Sequence, residues 1–512
     1  MSAFLERLPR PEPRDRWIWV PYDQLTDAVG PLAEADPPET GVVFIETTWK
    51  PGRRPYHQQK LALVLANQRH FALELAEAGF AVDYRFDDRP YEAVLTEVLD
   101  ERGGLVAMEP AERELRGAVA DLDGLRLVEH AGWLSTEDDF ASLGEPPWRM
   151  DTFYRRLRKR TGILMEGGKP VGGRYSFDGE NRESWPGEPA PPEPPTFSPD
   201  DVTREVAELV AERFGDHPGQ VDLATLPATK EDAETLWAWA KEKCLPTFGP
   251  FEDAMTTRSS GLWHTRISPL LNLHRLLPRR VVDEALELDL PHASVEGFVR
   301  QILGWREFVR HVHRRSPDMS EDVSHLGTDG ALPAAYWPGS PSGLRCLDTV
   351  VDDVWREGWS HHITRLMVLS NVAQLLDVSP RELTDWFWVA YVDAYDWVVE
   401  PNVMGMGTFA LGDRMTTKPY VSGSAYIDRM SDYCGDCAFD PKKTCPLTSL
   451  FWAYLGRHRE RLGEVNRMRM MLASERKRSD EQKEHDAAVF EEVRDMLARG
   501  ERLGPEQGEL FG

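Results

Sequence analysis

The first 130 residues alternate short apolar runs with amphipathic stretches, and that alternation leaves few architectures open. Trp17 to Val20, Val42 to Glu46, Ala81 to Phe86, Leu105 to Met108 and Leu125 to Val128 read as strands. Helical patterns lie between them, from His57 to Ala78, from Tyr91 to Leu99 and from Ala111 onward. Gly79 ends the first and Gly103-Gly104 stop the second. Strands separated by helices are joined by crossovers rather than hairpins, so the expected product is a parallel, doubly wound sheet. No glycine-rich fingerprint follows the first strand, which excludes an ordinary NAD domain.

At 512 residues the chain is too long for one such core. Residues 1–135 form the α/β unit and 136–200 a connector, whose part from Asn181 to Asp200 is rich in Pro, Glu and Ser. From Asp201 strand signals nearly vanish, so 201–460 is expected as a large all-helical domain. Residues 461–512 read as a charged, solvated helical tail. No apolar run reaches membrane-spanning length and the charged, Pro-rich start has no secretory character, so a cytoplasmic protein is expected. A net charge of −26 argues against indiscriminate nucleic-acid binding, though a local basic groove is compatible with it. The basic helix FYRRLRKR offers one face to phosphates or to water.

Three of the five cysteines fall within CGDCAFDPKKTCP, as Cys434, Cys437 and Cys445. A C-x2-C pair presents two thiolates from one turn, and a third close by gathers on the same side. Zinc and an iron–sulfur cluster fit this spacing equally. The fourth ligand must come from Cys346 or Cys244, brought in by the fold. Disulfides are disfavoured by the odd cysteine count.

Ser379, Pro380 and Glu382 form a helix-start signature, predicting a helix from Arg381 to about Val398. Trp386, Ala390, Asp393 and Trp397 would then share one face. An acid there needs a partner, and Arg365 on the preceding helix, His362 to Leu376, can supply it. A core salt bridge and a cofactor-binding pair are equally consistent with this. Among seventeen tryptophans most are core anchors, and a few close together could carry electrons.

The segments QQKLALVLANQRHFA, FYRRLRKRTGILM, PVGGRYSFDGENR, FVRQILGWREF, HHITRLMVLSN, PNVMGMG, TKPY and RMSDYCGDC together resemble the iron–sulfur photolyase-related proteins of bacteria, the (6-4) photolyase and cryptochrome group. The resemblance runs from about Asp23 to Arg461. It implies an N-terminal antenna domain, a helical FAD domain, and a monomer acting on UV-damaged DNA with no membrane partner. It implies a 4Fe–4S cluster on Cys346, Cys434, Cys437 and Cys445, with Cys244 left as a buried thiol.

The same resemblance places Thr265 and Ser268 at the FAD pyrophosphate, and Trp305, Arg306 and Glu307 along the flavin and lesion pocket. Arg365 and Asp393 become the ion pair beside the isoalloxazine, with Asn402 nearby in PNVMGMG. His362, with His361 next to it, becomes the lesion-facing proton shuttle. Trp386 and Trp337 match the photoreduction path, and Phe387 stands where a relative has Tyr. Where the family reads Val-Glu-Leu-Pro-Asn this chain reads VVEPNV, which moves the acid to Glu400. Asp23 and Glu46 match contacts to a 6,7-dimethyl-8-ribityllumazine antenna, although Pro21-Tyr22 replace the family's Leu-Gly. Light-driven repair of (6-4) photoproducts is the implied activity. A blue-light photoreceptor without repair activity is the alternative, and a colourless zinc protein that binds nucleic acid is a third reading.

Overall fold

The computed structural model describes residues 2–507. Five strands, β1 (Arg16–Trp19), β2 (Thr40–Thr47), β3 (Ala81–Asp87), β4 (Leu105–Met108) and β5 (Leu125–Val128), form one sheet in the order β3-β2-β1-β4-β5. Every pairing is parallel. Helices α1 (Gln58–Glu77), α2 (Tyr91–Arg102) and α3 (Arg113–Val119) are the crossovers. All eight residues of β2 are buried, as expected of a strand covered on both faces. Trp17 faces Gly41 across β1 and β2, and a Cβ at Gly41 would come within 2.4 Å of the Trp17 ring. Only glycine lets that indole lie on the sheet. The strand order reverses between β1 and β4, where a doubly wound sheet opens a crevice at its carboxyl edge.

After β5 the described residues form helices and loops, apart from a two-stranded hairpin at 165–170 within the connector and one isolated bridge from Gly330 to Val378. In α4 (Met150–Thr161), the basic helix, Phe153, Tyr154 and Leu157 face inward together with Arg158. The Arg158 guanidinium donates to the carbonyls of Ile163, Leu164 and Tyr175, so this arginine holds a loop rather than a phosphate. The helices used below are α5 (Arg345–Glu357), α6 (Pro380–Ala390), α7 (Asp396–Glu400), α8 (Pro446–Arg457) and α9 (Asp480–Ala498). Among the described residues no helix is long and apolar enough to cross a membrane.

Three expectations need correction. The helix predicted to reach Val398 stops at Ala390 and restarts at Asp396. The N-terminal domain captures the intervening backbone: His57 N donates to Val389 O, and the Lys60 ammonium donates to the carbonyls of Trp388 and Ala394. Val392 N donates to Gly358 O. These bonds replace the helical ladder in a stretch rich in β-branched and aromatic residues, which give little helical propensity in return. Asp393 and Trp397 therefore do not share a helix face with Trp386. Ser379 does cap α6, accepting from Glu382 N, but the Glu382 carboxylate takes Leu332 N instead of closing a capping box.

The tail is not a solvated helix. Helix α9 lies against α8 and buries Val489, Phe490, Val493, Met496 and Leu497, while Arg457 covers the Phe490 ring at 3.4 Å. Leu503 N then donates to Ser342 O, fastening the chain end to the loop before α5. The apolar stripe at 489, 490, 493, 496 and 497 is visible in the sequence beneath its charges. Ser479 and Gln482 form a complete capping box at the start of α9. Replacing Ser479 by Ala should lower the stability of the docked tail by about 1 kcal/mol. Hydrogen exchange along α9 checks this, with faster exchange confined to its first turns.

Candidate active site

The segment from His362 to Leu375 is helical, but its centre, Arg365–Ser370, is a wide π-type turn. Three further wide turns occupy Ala240–Cys244, Arg300–Arg306 and Pro401–Gly407. Such bulges re-aim side chains and concentrate at functional sites. Three of the four fall on segments singled out in the sequence, GWREF, HHITRLMVLSN and PNVMGMG, and the one at Ala240–Cys244 does not.

Arg365 and Asp393 meet as a bidentate pair, at 2.9 and 3.0 Å. The Asp393 carboxylate is only 6% exposed and also accepts from the Ser268 hydroxyl at 2.7 Å. Asn272 holds the Asp393 carbonyl. The Arg365 guanidinium lies 4.1 Å over the Tyr391 ring, whose hydroxyl meets that of Ser360 at 2.8 Å. Thus Ser268, Arg365 and Asp393 come together as one unit. Tyr391 and Lys60, which hold that unit in place, were not singled out from the sequence.

One turn before Arg365, His361 and His362 join His264, and a nitrogen of each ring lies within 4.8 Å of the others. His264 and His361 stack at 4.6 Å. Burial pulls both imidazoles well below their ordinary pKa, so they are neutral. His362 differs, with its side chain 45% exposed and Nε2 3.4 Å from Asp253. Burial lowers its pKa, but the Asp253 and Glu252 carboxylates outweigh that and the net shift is upward. Of these three, His362 is therefore the imidazole most readily protonated near neutrality. His264 and Asp253 were missed because they come from another segment.

A cavity of about 610 Å³ opens beside this unit. Its wall includes Arg258, Ser259, Ser260, Arg266, Arg356 and Val392, the last next in sequence to Asp393. Its arginines and hydroxyls can meet phosphate oxygens, and they share the wall with Asp352, Asp353 and Glu357, the last two of which already pair Arg266 and Arg356. Arg266, at φ +56°, pairs with Glu357 at 2.7 Å and lies between the predicted Thr265 and Ser268. Thr265 itself is half-buried on the same turn. Residues Pro191–Pro195 of the connector cover one side, so that segment is a wall of the cavity. The cavity and the Arg365–Asp393 pair beside it leave room and polar groups that fit FAD.

Other predicted residues lie elsewhere. Trp305 is partly buried, edge-on to Phe308. Arg306 does not face an open pocket: it is sandwiched by Trp133 at 4.1 Å and Trp397 at 5.3 Å, and donates to Leu271 O. Burial lowers its pKa to about 10. Glu307 accepts from the backbone and hydroxyl of Ser135. Asn402 donates to Val398 O within its turn. Glu400 is taken into a buried network with Arg113 at 2.8 Å, His313 at 3.2 Å and Arg381 at 3.4 Å. Burial raises the Glu400 pKa, and His313 and Arg113 more than reverse that.

Trp386 is buried and its indole N–H donates to Tyr336 O. Trp337 is 36% exposed. Four cysteines, Cys346, Cys434, Cys437 and Cys445, line one small cavity, whereas buried Cys244 points to His264 O. Cys346 opens α5 and Cys445 caps α8, so two helix N-termini flank the sulfurs, a setting that favours negative charge. Burial pushes Cys434 and Cys445 up to about 12, and burial with mutual repulsion raises Cys346 further. Four sulfur donors in one pocket are the donor set of a cationic metal group.

At the switch-point crevice, burial raises Asp23 to about 6 and its Oδ1 has no partner. Lys50 lies beside it, bonded to Glu112 and to the Tyr22 hydroxyl. Glu46 is instead consumed by a bidentate pair with Arg69, at 2.7 and 2.8 Å, and by the Tyr84 hydroxyl.

Removing Asp253 tests the His362 shift. The protonated imidazole persists below its raised pKa and is lost as pH rises through it, so Asp253→Asn should move that loss to lower pH. Titration of the His362 ring by NMR checks this, and an unmoved midpoint would refute the pairing.

Residues 18–225 match the family model described as "Deoxyribodipyrimidine photo-lyase-related protein", and residues 298–432 match "FAD binding domain of DNA photolyase". A "(6-4) photolyase" of Agrobacterium fabrum is 33% identical over 495 residues, covering 91% of this chain and 97% of that protein. An uncharacterized mimivirus protein, R855, is 39% identical over 66 residues, or 13% of this chain and 54% of its own. A solved bacterial class III photolyase from Agrobacterium tumefaciens superposes with a TM-score of 0.58, covering 95% of this chain and 99% of that one at 15% identity, which shows a shared fold. With its parallel sheet, its helical FAD-binding domain and this full-length relative, the chain belongs to the deoxyribodipyrimidine photolyase-related family.

Proposed function

We propose that this protein repairs (6-4) pyrimidine–pyrimidone photoproducts in UV-damaged DNA by blue-light electron transfer from reduced FAD. The observation that carries this reading is one helical turn: His362, half-exposed and paired with Asp253, stands three residues before Arg365, which locks Asp393. A proton donor and a flavin anchor are thus fixed to one rigid element. FAD, when bound and reduced, supplies the electron.

The chain's residues do the rest. The lesion leaves the duplex to enter the pocket, and a damaged, poorly stacked base does so at least cost. His362 as imidazolium, held by Asp253, delivers a proton to the hydroxyl that must return between the bases, and recovers it afterwards. Neutral His361 and His264, stacked behind, add no competing charge. The Arg365–Asp393 pair, backed by Ser268, orients the flavin ring edge.

Cys346, Cys434, Cys437 and Cys445 would hold a 4Fe–4S cluster, and Asp23, with Lys50 and Glu112 beside it, would hold a lumazine antenna. Iron and acid-labile sulfide analysis of the protein and of Cys346→Ser tests the cluster, since bound zinc would overturn it. The activity is tested by blue-light repair of a (6-4) oligonucleotide beside a matched cyclobutane-dimer oligonucleotide, under reducing conditions. Repair of the first alone is expected. Repair of neither by flavin-loaded protein would favour a photoreceptor.

A further inference from the structure

Glu252 is only 4% exposed and its carboxylate has no step in the mechanism above, although the next residue, Asp253, pairs with His362. It lies on the irregular stretch 249–267, which also carries His264. Its two oxygens have different partners. Oε1 accepts from the Gln301 side-chain amide at 2.6 Å, and Oε2 accepts from that of Asn181 at 3.4 Å. Its main-chain carbonyl meets His264 Nε2 at 3.2 Å. Gln301 belongs to the wide turn Arg300–Arg306, and Asn181 is a buried residue of the connector. One buried side chain thus joins the connector and that turn to the residue beside Asp253. We propose that Glu252 is a positioning residue of the lesion site, which turns the Gln301 amide so that its carbonyl is offered to an imide N–H of the damaged base. This rests on the repair reading above and adds a recognition contact to it.

The two ends of a glutamine amide have nearly the same shape and opposite hydrogen-bonding character. A carboxylate accepts and cannot donate, so the Gln301 NH2 must face Glu252 and its carbonyl must point away. Among the described residues that carbonyl oxygen has no protein partner, and it is not one of the sealed atoms that lack one. It is an open acceptor, and it takes an N–H donor. Of the two rings of a (6-4) photoproduct, the 5′ ring keeps an imide N–H, whereas the pyrimidone has a bare nitrogen at that place. The 5′ ring also bears the hydroxyl to which His362 delivers its proton. Gln301 and His362 then address one ring, which fixes the direction in which the lesion enters.

The site is built for a carboxylate. Two amide donors, one on each oxygen, need two acceptors, and a glutamine at position 252 would supply one. The neighbouring helix, His292–Val299, makes room for the pairing with Gly297. A Cβ there would come within 2.5 Å of Asn181 Nδ2 and 3.3 Å of Glu252 Oε2. The second Asn181 amide proton goes to Ala293 O at 3.1 Å, so that amide is fixed as well. Burial raises the Glu252 pKa, and His362 and Arg300 pull against it. The Arg300 guanidinium is itself taken by Asp178 and Glu296, at 3.0 and 3.3 Å. Glu252 therefore keeps both oxygens for the two amides.

The test compares the flavin-loaded wild type with E252Q and with the exchange variant E252Q/Q301E. Flavin content and melting temperature serve as the fold check. Affinity is measured in the dark for a duplex with one (6-4) photoproduct and for the undamaged duplex. In E252Q two donors compete for one acceptor, and a Gln301 amide that flips to satisfy its neighbour confronts the lesion imide with its NH2. Lesion affinity should fall roughly ten- to a hundredfold, the worth of an unmet donor. Affinity for the undamaged duplex, whose bases stay stacked outside the pocket, should not change. In the exchange variant the amide at 252 donates to the carboxylate at 301 and still accepts from Asn181, and an acceptor oxygen again faces the lesion. Most of the lost affinity should return. Wild-type lesion affinity in E252Q, or an exchange variant no better than E252Q, overturns the proposal. The Gln301 side-chain NH2 signal, assigned in DNA-free protein by its loss in Q301E, should shift in E252Q, and an unmoved signal overturns the pairing whatever the DNA does. A wild type that binds both duplexes alike, while the signal shifts as expected, overturns the repair reading instead, since the Glu252–Gln301 pairing then stands with no lesion to meet.

Discussion

His362→Ala is expected to lose about a hundred- to ten-thousandfold in repair of (6-4) lesions, the usual worth of a positioned general acid. The variant should still bind FAD and photoreduce it, because Arg365, Asp393, Trp386 and Trp337 are untouched. A His362 side chain that is 45% exposed packs against little, so its truncation costs small stability. Quantifying repaired oligonucleotide per photon absorbed by pre-reduced protein isolates the chemical step. Wild-type repair in the variant would remove His362 from the mechanism. The role then falls to Asp253 or to water.

Arg365→Met carries the second large effect. It leaves Asp393, 6% exposed, as a buried carboxylate whose remaining side-chain donor is the Ser268 hydroxyl. Breaking a buried pair from one side costs about 3–5 kcal/mol, mostly the desolvated charge left behind. Arg365 is 23% exposed, which places the expected loss near the lower end, about 3 kcal/mol. Denaturant unfolding of the flavin-free protein measures it. The double variant Arg365→Met with Asp393→Asn should recover much of that stability, since no charge remains to be paired, but not flavin affinity. Equal stability in single and double variants would show that the pair is not buried in solution.

Cys346 lies in the first turn of α5, and the docked tail fastens the loop before that helix through Leu503 N to Ser342 O.

Much of the fold was legible because hydrophobic period and breakers are local properties. The five strands fell where their apolar runs and glycines placed them, and the absence of strands after Asp201 marked the helical domain. The four cysteines that line one pocket were also legible, three by spacing and Cys346 by resemblance. The Arg365–Asp393 pair was legible as a pairing but not in its geometry, since it required a helix to break at Ala390.

What the sequence by itself determined is the list of elements and the chemical groups they carry. Periodicity, capping residues and charge balance need no distant partner to be read. What only the tertiary structure decided is where those groups meet. Lys60 and His57 end α6 because they reach its carbonyls from another domain. Glu400 joins Arg113, Arg381 and His313 because helix rotation aims it there. Trp355 meets both Trp337 and Trp386 only once α5 packs beside them. Each depends on contacts between residues tens to hundreds of positions apart, and no local pattern encodes such a distance.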